Sequence, residues 1–219
     1  MATWVKEHGL LLVNVILFLG FLGGMTLTGW QVYNDDQLDH GGTVVTLLAY
    51  LGTGDFGEAI FENWESEFLQ MGMYVVLTVF LFHRGSAESK PIGTPAPQDA
   101  DPQRTAGKGA PWPVRRGGWV LAVYKRSLSL LFLVLFVASF CLHVVTGARA
   151  YSAEQIEHGG AAVTPIEYLG NSQFWFESFQ NWQSEFMVVA VIVIASVYLR
   201  QQGSPESKPV ATPHRETGD

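Results

Sequence analysis

Apolar positions in this chain fall in four long runs separated by polar stretches, and the runs come in two matched pairs. Leu10 to Trp30 carries no charge, and Met71 to Phe82, Gly118 to Val145 and Met187 to Leu199 are nearly as clean. About 20 helical residues cross a hydrocarbon core of about 30 Å, so the first and third runs are long enough alone. The second and fourth are shorter, but each extends N-terminally through an unbroken helical pattern, Ala59 to Gln70 and Glu177 to Phe186. The pattern therefore predicts four membrane-spanning helices, over about 10–30, 64–83, 118–146 and 184–200.

The second pair repeats the first. Gly29 to Pro95 aligns without a gap on Gly147 to Pro213, 118 residues later, and 29 of the 67 paired positions are identical. Chance would match roughly one in twenty, so the chain holds an internal duplication. Each copy has an even number of spans, which gives both copies the same orientation. The expected fold is all-α: a four-span transmembrane helix bundle made of two tandem two-helix repeats, with short interfacial helices in the two outer loops. Residues 1–84 form the first membrane repeat and 118–202 the second. Between them 85–117 is rich in Pro, Gly, Ser and charge and is expected to be a disordered cytoplasmic linker, with 203–219 a disordered tail.

Within each loop, Asp35 to His40 and Ala153 to His158 read as one or two helical turns closed by paired glycines, Gly41-Gly42 and Gly159-Gly160. The apolar decapeptides that follow, 43–52 and 161–170, are too short to span and suit the membrane interface. New helices are expected from about Asp55, where Asp55 and Glu58 have capping-box spacing, and from about Asn171 or Ser172.

Charge fixes the expected orientation. Eight acidic residues and no Lys or Arg lie between Gln31 and Glu67, whereas Arg84, Lys90, Arg104, Lys108, Arg115, Arg116, Lys125 and Arg126 cluster around the linker. Positive segments stay in the cytoplasm, which places both termini there and both acidic loops outside. The lone Cys141 is read as core packing and His143 as a buried, hydrogen-bonded histidine.

Two polar constellations repeat. Asn63, Ser66 and Glu67 share a helix face, as do Asn181, Ser184 and Glu185, just ahead of an apolar run where a carboxylate is costly unless it meets a partner or water. Opposite them, Phe61, Trp64, Phe68 and Phe179, Trp182, Phe186 form aromatic stripes that suit an interfacial belt. His40 and His158 end the short helical turns, where a histidine complements the helix dipole as a cap. If the two copies pair about a two-fold axis, His40, His158, Glu67 and Glu185 can gather as ligands for a divalent metal or as a proton relay. A haem is a weaker alternative, because nothing specifies a deep apolar slot, and no cofactor is expected outright. Phosphate-loop, dinucleotide and hydrolase motifs are absent, as is a basic surface for nucleic acid.

The paired elements His40-Gly41-Gly42 with Asn63 to Phe68, and His158-Gly159-Gly160 with Asn181 to Phe186, resemble a bacterial integral-membrane family that is a domain of unknown function. The resemblance implies a protein of the bacterial inner membrane and brings no catalytic residues with it. The favoured reading is a non-enzymatic membrane protein that binds a membrane-protein partner or a second copy of itself. The alternative is a small transporter or ion- or metal-binding protein using the paired Glu and His residues.

Overall fold

A computed structural model describes residues 2–218, with side chains from Trp4 onward. Helix is the only regular secondary structure among the described residues. The order is α1 (Ala2–Asp39), α2 (Leu47–Tyr50), α3 (Gly54–Phe80), a single 3-10 turn (Pro97–Asp99), α4 (Trp112–Arg116), α5 (Gly118–Tyr124), α6 (Ser127–Glu157), α7 (Pro165–Leu169) and α8 (Ser172–Tyr198). Among the described residues three helices are long and apolar enough to cross a membrane: α1, α6 and α8. The fourth expected span lies on α3. This helix matches α8 in length at 27 residues, but Asp55, Glu58, Glu62, Glu65 and Glu67 load its first half and dilute its hydropathy.

Polarity is inverted relative to a water-soluble domain. Leu10, Phe21, Leu48 and Ile166 are among many exposed large apolar side chains, while Asn34, Glu65, Gln70, His143, Ser178 and Lys208 are buried. Such an arrangement is stable where the surroundings are hydrocarbon and the interior is where polar groups find partners.

The expected turns at 35–40 and 153–158 are the ends of α1 and α6 themselves, not separate helices. Nothing between Gln31 and Asn34, or between Arg149 and Ser152, breaks a helix, so the chain stays helical past the last apolar residue. Termination comes later, at Gly41 and Gly159, whose φ of 75° and 78° is the left-handed conformation that glycine adopts freely. The amides of Gly42 and Gly160 then bond the carbonyls of Gln37 and Gln155, both at 2.7 Å, closing the end carbonyls. In the third expected span the helix divides at the adjacent cations Lys125 and Arg126, separating α5 from α6.

Helix starts follow side-chain oxygens. Thr53 Oγ1, rather than Asp55, caps α3 by accepting from the Phe56 amide at 3.2 Å, and Asn171 Oδ1 accepts from Gln173 at the start of α8. A capping box forms at α7, where Thr164 and Glu167 exchange bonds around Pro165. The Thr164 amide and hydroxyl hold the Glu167 carboxyl below its ordinary range, so this cap is intact at neutral pH and is lost as pH falls through that lowered value. Cys141 is exposed, a correction to its expected place in the core.

The chain divides into two compact units, Met1–Phe61 with Leu142–Phe174, and Glu62–Cys141 with Trp175–Asp219. In the first unit the same staple occurs 118 residues apart. The Val45 amide donates to Asn34 Oδ1 at 2.7 Å and Asn34 Nδ2 donates to the Val45 carbonyl at 3.2 Å. Ser152 makes the acceptor half of this staple: its hydroxyl accepts from Val163 N at 2.9 Å and gives its one proton to the Ala148 carbonyl at 2.6 Å. Each staple ties the loop to the helix before it. Two net hydrogen bonds are worth about 2 kcal/mol, so Asn34→Ala is expected to lower stability by about that amount and Asn34→Ser to recover part of it. Thermal unfolding in detergent would check the order, and equal midpoints for Asn34→Ala and wild type would refute it.

In the second unit the expected disordered segments carry defined turns. The Gly-Ser-x-Glu-Ser-Lys-Pro repeats fold alike: Ser89 and Ser207 each accept a backbone amide six residues earlier at 3.0 Å. Ser86 and Ser204 each accept from the amide two residues later at 3.1 Å. Lys90 pairs with Asp99 at 2.7 Å, whereas the buried Lys208 donates to the carbonyls of Pro213, His214 and Glu216.

Candidate functional site

Because α1 and α6 outrun their apolar segments, they carry polar last turns, and in the first unit these turns meet. The rings of His40 and His158 lie 6.2 Å apart, edge to face. Ligand-type atoms of Asp36, His40 and Glu157 all fall within 4.8 Å of one another, and the three side chains are exposed. Gln37 Nε2 reaches the Glu157 carboxylate at 3.4 Å, so α1 also orients an acid of α6.

The two imidazoles are held alike. His40 Nδ1 lies 2.9 Å from the Asp36 carbonyl and His158 Nδ1 lies 2.8 Å from the Glu154 carbonyl, each four residues back on its own helix. A carbonyl oxygen only accepts, so Nδ1 carries the proton and, in the neutral ring, the Nε2 lone pair remains available. The Asp36 carbonyl, and after it the Asp36 carboxylate, push the His40 imidazole above its ordinary value of 6.5.

The remaining sequence candidates belong to the second unit. Ser66 and Ser184 bond their own backbones, donating to the carbonyls of Asn63 and Asn181 at 2.7 and 2.8 Å. Glu67 is exposed and Glu185 is half-buried. Gln70 Nε2 contacts the Glu185 carbonyl at 3.4 Å. The carboxylate fully enclosed in this unit is Glu65: its Oε1 accepts from Ser178 Oγ at 3.0 Å and from Trp182 Nε1 at 3.2 Å. Trp182, which the aromatic stripe assigned to a membrane-surface belt, thus also supplies a hydrogen bond to a buried acid.

A further polar contact lies in the first unit. His143 is fully buried, as the sequence suggested, with its ring 4.9 Å from that of Phe174. A ring nitrogen of His143 and a carboxylate oxygen of Glu58 lie within 4.8 Å, and the Tyr168 hydroxyl donates to Glu58 Oε1 at 3.0 Å. Sequence reasoning named neither Glu58 nor Glu65 as a site residue. The available signal was asymmetry: Glu58, Glu65 and His143 stand where the other copy has Phe176, Gln183 and Met25.

Over residues 1–219 the chain matches the family model described as Domain of unknown function (DUF6766). No curated protein and no solved structure matches it.

Proposed function

We propose, from the premise that the chain belongs to the DUF6766 family, that it is a non-enzymatic, cation-binding protein of the bacterial inner membrane. Two tandem repeats contribute four spans, on α1, α3, α6 and α8, with both termini and the linker in the cytoplasm. The Lys- and Arg-rich linker and tail support this orientation, as does the acidic stretch from Asp35 to Glu67 with no Lys or Arg. The contacts that recur 118 residues apart support the two-repeat reading.

The observation that carries the cation-binding reading is the meeting of Asp36, His40 and Glu157 at the ends of two helices. The two carboxylates need a positive partner: protonated His40, 3.4 Å from Asp36, is one, and where the ring is neutral a bound cation takes that place with the imidazole as a ligand. Of the readings open from sequence, this favours the ion-binding one over a purely structural or partner-binding role. The test is thermal unfolding of the detergent-purified protein against Mg2+, Ca2+, Mn2+, Co2+ and Zn2+. A cation present at 100 times its Kd stabilises by about 2.7 kcal/mol, so at least one should raise the midpoint by several degrees. No response to any of them at millimolar concentration would reject the proposal.

A further inference from the structure

We infer that the cluster at the ends of α1 and α6 is a site for one divalent first-row transition metal, held by the imidazoles of His40 and His158 with the carboxylates of Asp36 and Glu157. This rests on the cation-binding reading and names the class of cation.

The choice of metal follows from the donors. Ca2+ and Mg2+ take oxygen ligands, whereas imidazole nitrogen suits Zn2+, Co2+, Ni2+ and Cu2+. Two histidines and two carboxylates make a mixed nitrogen and oxygen set of tetrahedral count. Distances agree. A metal about 2.1 Å from each ring nitrogen places two ligating rings roughly 5 to 6 Å apart between centres, and roughly 3.4 Å between ligand atoms. The rings stand 6.2 Å apart, and the atoms of Asp36, His40 and Glu157 lie within 4.8 Å. His158 lies outside that group of three, so its exposed side chain has to turn inward to supply the fourth ligand.

The surroundings already do what supporting groups do at metal sites. A ligating histidine is normally oriented by a hydrogen bond from its other nitrogen to a carbonyl or carboxylate. Both rings have that bond, through Nδ1 to the carbonyls of Asp36 and Glu154. Gln37 does the same for Glu157. The ligands also come from both copies, with Asp36 on α1 and His40 in the turn that follows it, and Glu157 on α6 and His158 in the turn that follows it. A bound metal would therefore tie together two helix ends more than a hundred residues apart in sequence.

The experiment is a Co2+ titration of the full-length, detergent-purified protein, read by visible d–d absorption, with Ca2+ binding measured alongside by calorimetry. The expected result is one Co2+ per chain, with absorption typical of nitrogen and oxygen ligation, displaced by Zn2+. His40→Ala with His158→Ala should weaken binding at least about 100-fold, and Glu157→Gln should weaken it less. Unfolding of the metal-free double variant should match wild type, because both histidines are exposed. Co2+ binding unchanged in the double variant would overturn the inference. Ca2+ binding that survives in that variant, without Co2+ binding in wild type, would also overturn it while leaving cation binding in place. Failure of wild type to bind any cation would remove both.

Discussion

Gly54→Val is expected to destabilise the protein by about 3 kcal/mol, the upper end of what overpacking costs. A Cβ at Gly54 would sit 2.4 Å from the amide nitrogen of Ala150, 2.7 Å from the carbonyl oxygen of Thr146 and 2.9 Å from the carbonyl carbon of Arg149. All three are backbone atoms of α6, which cannot rotate aside as a side-chain tip would. The first turn of α3 would have to move off α6. The better helix propensity of valine recovers only a few tenths of a kcal/mol, too little to offset this. Gly23→Val is the control, since nothing lies within 4 Å of its added Cβ. Thermal unfolding followed by circular dichroism in one detergent should show a large loss for the first variant and almost none for the second. Equal midpoints would mean that α3 and α6 do not touch as described.

The second large effect concerns Glu65. Glu65→Leu is expected to cost about 3 kcal/mol, because it strands the Ser178 hydroxyl and the Trp182 indole N–H, and each unsatisfied buried donor costs about 1 to 3 kcal/mol. Glu65→Gln keeps a carbonyl oxygen in the position of Oε1 and is expected to cost less than about 1 kcal/mol. The other copy already carries glutamine at the equivalent position, Gln183. The same unfolding measurement separates the cases. If glutamine proves as damaging as leucine, the negative charge rather than the acceptor holds α3 to α8 in this unit.

Much of the architecture could be read from the sequence because membrane helices report themselves through length and hydropathy, as α1, α6 and α8 do. Helix ends were less legible. Hydropathy marks where hydrocarbon stops, whereas the chain stops being helical only where a residue such as Gly41 permits it, so α1 continues through Asp39. The nearness of His40 and His158 could be read, since equivalent positions on paired copies meet if the copies pair. The burial of Glu65 could not. Helical spacing puts Glu65 and Glu67 two residues apart on different faces, and only the position of the neighbouring helix decides which face is covered. Ser178 and Trp182 are separated from Glu65 by more than a hundred residues, and no local pattern in either segment announces the meeting. His143 drew little weight as a lone histidine in an apolar run, because its neighbour Glu58 lies on another helix.

Lys208 donates to three carbonyls of the tail and is almost wholly shielded from solvent. An ammonium has three protons to give, and here all three are occupied. This lysine is therefore chemically silent in the folded chain: an amine-reactive ester would pass it over. Its counterpart Lys90, paired with an exposed Asp99 and 5.7 Å from the centre of the Phe82 ring, offers a more reactive comparison in the same molecule. The difference in labelling between the two lysines would report whether the tail is folded, without any spectroscopic probe.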